Sequence, residues 1–298
     1  MDKPQIIGIG IEGLIGSRIR ELLKNEFDFI SLGISQGVNV TNPATLVRIK
    51  DYKESNFVLH LAAKTDVDSC EKDKHLKEAG ASWKINVEGA KNVAEICREM
   101  GKKIIYFSTD IIFDGKKPEG QSYSEEDQPN PINWYGETKY QGEIEIEQSG
   151  ADYIILRTAY PYRASFKEKK DFFRNIKDNL EEDKKIKTIV DQFFCPTFID
   201  DIAAAVKTLV INDSMGIYHV VGSEPITPFG AAQRIAEEFG LERGLISKTT
   251  REQFFKNRAP RPFNSSLRND KIAKLGVYMR GFEEGLREIK KQLSDYKL

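Results

Sequence analysis

Gln5-Ile6-Ile7-Gly8-Ile9-Gly10-Ile11-Glu12-Gly13-Leu14-Ile15-Gly16 is the stretch on which the fold of this 298-residue chain turns. An apolar run of strand length enters three glycines spaced G-x-x-G-x-x-G, Gly10, Gly13 and Gly16. From Ser17 to Asn25, Ile19, Leu22 and Leu23 fall on one helical face. Strand, glycine turn and helix in that order form the arrangement that binds dinucleotides. The glycines allow a tight turn and a close backbone approach, and the helix N-terminus faces a pyrophosphate. A glycine turn also serves plain α/β units, so the flanking segments have to carry the rest.

Outward from this loop, Phe27 to Leu32 reads as a second strand. A carboxylate for the adenosine ribose would stand at its end, but Gly33-Ile34-Ser35 stand there, with no arginine either. Glu12 would mildly repel a 2′-phosphate, and the sequence does not choose between NAD and NADP. Gly33-Ile34-Ser35-Gln36-Gly37 matches the G-x-S-x-G of hydrolase nucleophile elbows. That motif needs a helix at once, and Val38-Asn39-Val40-Thr41-Asn42-Pro43 follows instead, so the match reads as chance.

Phe57 to Ala63 reads as a buried strand running into Lys64-Thr65-Asp66-Val67-Asp68, with the small Ala62 and Ala63 where a cofactor could lie against backbone. His60 reads as a core residue. Ala81 to Met100 reads as a long helix carrying Asn86, and Lys103 to Phe107 as a strand ending at Ser108-Thr109-Asp110. This alternation predicts an α/β fold with a doubly wound parallel sheet. The polar, Gly- and Pro-containing 114–133 loop leads to Trp134-Tyr135-Gly136-Glu137-Thr138-Lys139, the first turn of a further helix. Tyr135 and Lys139 are four apart and share a face. A lysine ammonium beside a phenol lowers its pKa from about 10, which makes it a usable general acid or base.

Tyr153 to Thr158 reads as a strand, and the charged segment from Ala164 to Lys187 as helical, an excursion into a smaller second domain. Ile199–Val210 and Gly216–Val221 return to the sheet. The expected division is 1–160 with about 192–222 for the dinucleotide, and about 161–191 with 223–298 for the substrate. Arg258-Ala259-Pro260-Arg261-Pro262 is either a solvated turn or a clamp on a substrate phosphate.

Composition narrows the partners. A net charge of −1 without a basic, aromatic-rich cluster argues against nucleic acid. No apolar run approaches membrane-spanning length, and no signal-peptide pattern opens the chain, so a soluble cytoplasmic protein is expected. Three scattered cysteines without CxxC suggest neither disulfides nor zinc, and no metal is expected.

Taken in order, these segments resemble the extended short-chain dehydrogenase/reductase family, and within it the dTDP-4-dehydrorhamnose reductases. The resemblance covers nearly the whole chain. It rests on Gly10/Gly13/Gly16, Ala62 to Asp68, Ser108-Thr109-Asp110 through Phe113-Asp114-Gly115, and Tyr135-Gly136-Glu137-Thr138-Lys139. Further markers are Arg157-Thr158, Asp191-Gln192-Phe193 with Pro196-Thr197, and Arg261-Pro262-x-Asn264-Ser265. It implies a Rossmann fold with a smaller C-terminal substrate domain, and reduction of a nucleotide-linked 4-keto sugar by NADPH or NADH. Tyr135 would be the proton donor, Lys139 its electrostatic partner and ribose anchor, and Thr109 the hydroxyl that orients the substrate oxygen. Gly10, Glu12, Gly13, Leu14, Ile15, Gly16, Asn39, Leu61, Ala62, Ala63, Thr65, Ser108 and Ala159 would join Tyr135 and Lys139 around the cofactor. Thr109, Asp110, Tyr135, Tyr160 and Arg261 would meet the sugar nucleotide, and a homodimer is compatible with the family.

Three positions depart from that family: Ile111 where tyrosine is usual, Tyr160 where tryptophan is usual, and Gly33 where an acid is usual. A nucleotide-sugar epimerase shares the same framework. A 4,6-dehydratase would carry glutamate at Ile111. The regulatory beta subunit of methionine adenosyltransferase is a non-catalytic relative.

Overall fold

A computed structural model describes residues 3–295. Five strands, β1 (Gln5–Ile9), β2 (Asp28–Leu32), β3 (Ser55–His60), β4 (Lys103–Thr109) and β5 (Tyr153–Thr158), join the Gly216–His219 strand in one parallel sheet. The order is β2-β1-β3-β4-β5 and then Gly216–His219. The chain leaves β1 towards one edge and returns to β3 on the other side, so the crevice between β1 and β3 is a topological switch point, where ligands of open α/β sheets bind.

The strands are apolar on both faces because helices cover both. Successive residues go to opposite layers: Ile6, Ile105 and Ile154 pack with the Ile199–Ile211 helix, while Ile7, Ile104 and Ile155 pack with Ala90, Val93 and Ala94. His60 lies in this core, 1% exposed and 5.6 Å ring-to-ring from Tyr106, and burial pushes it down to about 3. The three cysteines are free and buried; burial pushes the Cys97 and Cys195 thiols up to about 12 and raises Cys70.

Several element boundaries differ from the expectation. The first helix is Leu14–Leu23, three residues earlier than its periodicity suggested, because Gly13 in extended conformation already serves as its N-cap. The expected helix over 81–100 is broken by a π-turn, Lys84–Glu88, between Ala81–Trp83 and Gly89–Glu99. Within Ala164–Lys187 only Phe172–Glu181 is helical, started by the Asp171 cap on Arg174 N. The segment then ends in a strand, Ile186–Ile189, paired in parallel with Ile246–Thr249. A separate aromatic core gathers Tyr162, Phe173, Phe194, Phe198 and Phe282 between this helix and the Pro228–Phe239 and Phe282–Asp295 helices. Gly33–Gly37 forms a 3₁₀ turn with no helix directly behind it, which bears out the chance reading of the hydrolase-like motif.

Candidate active site

The glycine loop is built by steric necessity at two of its three glycines. Gly10 has φ +77° and presses on β3's exit, where a Cβ would sit 2.7 Å from Ala62 N. At Gly16 a Cβ would sit 2.5 Å from Ile11 O. At Gly13 the nearest atom would be Gly10 O at 3.4 Å, an ordinary contact. No neighbour in the chain therefore requires glycine at position 13, unlike positions 10 and 16. Beside the loop opens a cavity of about 420 Å³ lined by Gly10 to Gly13 and Ser31 to Gln36. Glu12, on its rim, is held by both terminal nitrogens of Arg20 at 2.7 and 3.0 Å, which offsets the repulsion expected of it. Arg18 turns away to Asp200 and Glu21.

The other cofactor candidates divide. Leu14 and Ile15 form the first helical turn, and Leu61 and Ala62 donate their backbone N–H groups to Ile9 O, which closes the β1–β3 crevice. Thr65 Oγ1 receives Lys169 Nζ at 3.3 Å across from the 164–170 segment. Ser108 and Ala159 are buried at the ends of β4 and β5. Asn39 lies outside the cavity lining, its amide oxygen accepting from Thr41 N and Oγ1 in its own turn.

The Trp134–Gln148 helix starts hard against the end of β4. Asn133 caps it by accepting from Gly136 N at 2.8 Å, and Trp134 N donates to Glu71 Oε2 at 2.7 Å. A Cβ on Gly136 would collide with Ile111 O, so glycine is what lets the helix approach. That approach sets Tyr135, 9% exposed, beside Thr109, and Lys139, 2% exposed, one turn further in. Burial holds the Tyr135 phenol above its ordinary value, opposed by a hydrogen bond to Thr109. The lowering expected from Lys139 does not decide the phenol's state: burial does, and the Thr109 hydrogen bond is what opposes it. Burial pushes Lys139 down to about 7, with the Glu143 carboxylate pulling the other way, and its Nζ sits 3.9 Å above the Tyr106 ring. Asn86, on the π-turn, bridges the two sides of the cleft. Its Oδ1 accepts from Lys64 N at 2.8 Å, and its Nδ2 donates to Lys64 O at 3.0 Å and Thr138 Oγ1 at 2.9 Å. The helix period gave Asn86 no role; the interruption that aims it is not visible in the spacing.

On the far side of Tyr135 lie Asp110 and Tyr160. Burial pushes the Asp110 carboxyl up to about 6, and its charge in turn raises both phenols. Tyr160 has φ +42°, a left-handed conformation costly for an aromatic residue. Its hydroxyl accepts from Gln192 Nε2 at 3.2 Å, and its ring lies 4.0 Å from that of Phe194. Such strain persists where the surroundings over-determine it, a feature of ligand sites. Ile111, at the tyrosine position of the resemblance, is buried against Cys70 and Tyr135. Arg261 is buried too, donating to Asp68 Oδ1 at 3.1 Å and Ala259 O at 2.7 Å, while Arg258 holds Asp68 Oδ2. The structure therefore brings Thr109, Asp110, Tyr135, Lys139 and Tyr160 together, with Arg261 at the edge. Among the described residues no three His, Cys, Asp or Glu side chains form a group that could hold a metal ion, and no helix is long and apolar enough to cross a membrane.

The family described as the RmlD substrate binding domain matches residues 4–294. The chain belongs to that family. Its relatives include the spore coat polysaccharide biosynthesis protein SpsK of Bacillus subtilis, 31% identical over 97% of this chain and 96% of that one. They also include the methionine adenosyltransferase 2 subunit beta of Xenopus laevis, 29% identical over 94% of this chain and 85% of that one. Among solved structures, dTDP-4-dehydrorhamnose reductase of Bacillus anthracis in complex with NADP is 28% identical, covers 98% of this chain and 100% of its own, and superposes with a TM-score of 0.88. Across the family's matched span fall the glycine loop, the Tyr135 helix and the C-terminal Ser265 segment alike.

Proposed function

We propose that this protein reduces a keto group on a nucleotide-linked sugar with NADPH or NADH, using Tyr135 as the proton donor. The observation that carries the reading is the burial of Tyr135 beside Thr109, on the helix that carries the buried Lys139 one turn further on. The residues fit a dinucleotide: Gly13 is bare without internal cause, and the cavity lies beside it. When bound there, the dinucleotide supplies the hydride.

The chain's own residues do the rest. As a hydride adds to the carbonyl carbon, the C=O π pair moves to oxygen and takes the Tyr135 hydroxyl proton. Thr109 orients that oxygen, and the Lys139 ammonium offsets the phenolate left behind. The phenolate recovers its proton from solvent. Arg258 and Arg261 match a substrate diphosphate in charge and fork geometry, and residues 161–191 with 223–298 would hold the sugar nucleotide. Gly33 offers the ribose neither carboxylate nor cation, so both dinucleotides serve.

Incubation with dTDP- and UDP-4-keto sugars, following loss of nicotinamide absorbance, tests this; a folded protein that binds NADPH yet oxidises it with none of them overturns the reading. The likeness to the methionine adenosyltransferase subunit favours a second reading, in which the chain acts within an assembly and turns over nothing. The intact Thr109, Tyr135 and Lys139 set argues for catalysis.

A further inference from the structure

Ser265 is where the C-terminal part of the chain touches the reacting end of β4. It is fully buried, and its Oγ donates to Asp110 Oδ2 at 2.5 Å across 155 residues of sequence. Its backbone is pinned as well: Ser265 N donates to Phe193 O at 2.9 Å. The neighbouring Asn264 Nδ2 gathers Lys117 O, Pro118 O and Gln121 O at 3.3, 2.9 and 2.7 Å. The other Asp110 oxygen accepts from Thr109 Oγ1 at 3.1 Å, and Thr109 Oγ1 accepts from Ile111 N at 3.3 Å. A hydroxyl has one proton and two lone pairs. At rest the Asp110 carboxylate takes the Thr109 proton; to orient a carbonyl or alkoxide oxygen, which only accepts, Thr109 turns that single proton from Asp110 towards Tyr135 and the substrate.

We propose that Ser265 is a positioning residue for the reaction: it fixes the Asp110 carboxylate as the resting acceptor for Thr109 and so sets the place from which the Thr109 hydroxyl turns to the substrate oxygen. This rests on the reductase reading above. It gives the Asn264-Ser265 motif a role, carrying the seating of the C-terminal part to the catalytic hydroxyl through two hydrogen bonds. The groups facing Asp110 are Tyr135 on its helix, Tyr160 after β5, Cys195 before Thr197, and Thr109 and Ser265 themselves. Burial raises the Asp110 carboxyl to about 6, and the Ser265 hydrogen bond is the first of the contacts that oppose it. The directed carboxylate is therefore lost as pH falls through about 6, and removing Ser265 moves that loss to higher pH.

The test compares wild type with Ser265→Ala, and with Ser265→Cys should the alanine variant fail to fold. The pH dependence of kcat is measured alongside carbon-13 titration of the Asp110 carboxyl in the ligand-free protein, assigned with Asp110→Asn. The expected result is a several-fold fall in kcat with little change in KM for NADPH. The acid limb and the carboxyl midpoint should move up together by roughly one unit, the effect of one hydrogen bond to a charged group. Unmoved limb and midpoint, even with a lower Tm, would overturn the proposal and leave Ser265 a packing residue. If wild type reduces no keto sugar, the reductase reading fails while the carboxyl titration still decides what Ser265 does to Asp110.

Discussion

Lys139 is poised near neutrality because burial pulls its ammonium down to about 7 and Glu143, one turn along, pulls it back. Its charged form exists below that pH, so activity that needs the ammonium should fall as pH rises through about 7. Glu143→Gln should move this basic limb to lower pH. The same change strands Arg157, whose Nη2 lies 2.7 Å from Glu143 Oε2 with both side chains almost wholly buried. It should also cost on the order of 3–5 kcal/mol of stability, read by denaturant unfolding, since breaking a buried pair leaves an uncompensated charge. A limb that stays in place would show that Glu143 serves Arg157 alone. Tyr135→Phe keeps the ring and deletes the proton, so kcat should drop by about 10²–10⁴ with NADPH affinity unchanged; turnover at the wild-type rate would remove Tyr135 from the chemistry. That Tyr135 and Lys139 share one helix, four residues apart, was legible in the sequence. Asn86 with Thr138, and Asp110 with Ser265, were not, since 52 and 155 residues separate them and only the folded sheet brings them together.

The glycine loop separates fold from ligand at the level of one element. Gly13→Ala should leave Tm near wild type and weaken dinucleotide binding, whereas Gly16→Ala forces the backbone of Ile11 to move and should cost roughly 1–3 kcal/mol. Calorimetry with NADPH and thermal unfolding of both variants check this; unchanged affinity in the Gly13 variant would make the loop merely structural. At the end of β2, Gly33 is extended, with φ −165°, and a Cβ there would lie 3.5 Å from Gln36 Oε1. An aspartate therefore fits, and Gly33→Asp should swing kcat/KM towards NADH. In the wild type the two cofactors should stay within about a hundredfold, under roughly 3 kcal/mol, because no charged group reads the ribose from that turn. A wild-type ratio beyond a thousandfold would point to another reader, with Arg48, whose guanidinium donates to Gln36 O at the cavity lining, the first candidate. The strands and glycine turn could be read from period and spacing. The π-turn and the irregular 164–170 segment could not, because both answer to contacts made elsewhere: Asn86 to Lys64 and Thr138, and the segment's carbonyls to Arg174.

Across the whole molecule, a few hydrogen bonds and ion pairs tie the first helix and the segment after β3 to later parts of the chain. Arg163 reaches Ser17 and Glu21, Arg18 reaches Asp200, and Arg258 and Arg261 clasp Asp68. The last clasp occupies the cations that a substrate diphosphate would want. Asp68→Asn should therefore tighten binding of a free nucleoside diphosphate, measured by calorimetry; weaker binding would show that Asp68 only holds the loops together. The parallel, doubly wound sheet was recoverable from sequence, whereas this clasp was not, because it joins a helix start to a proline-rich loop some 190 residues away. The buried cysteines bear on how such a clasp can be watched. A thiol held up to about 12 is ionised in roughly one molecule in 10⁵ at neutral pH, and the thiolate is what attacks alkylating dyes. Cys70 is buried and raised as well, so the native chain is nearly inert to labelling chemistry. Cysteines placed at the exposed positions Lys74 and Lys256 would then take a donor and an acceptor dye without any native thiol being removed. Energy transfer between them would report in single molecules whether the Asp68 clasp opens.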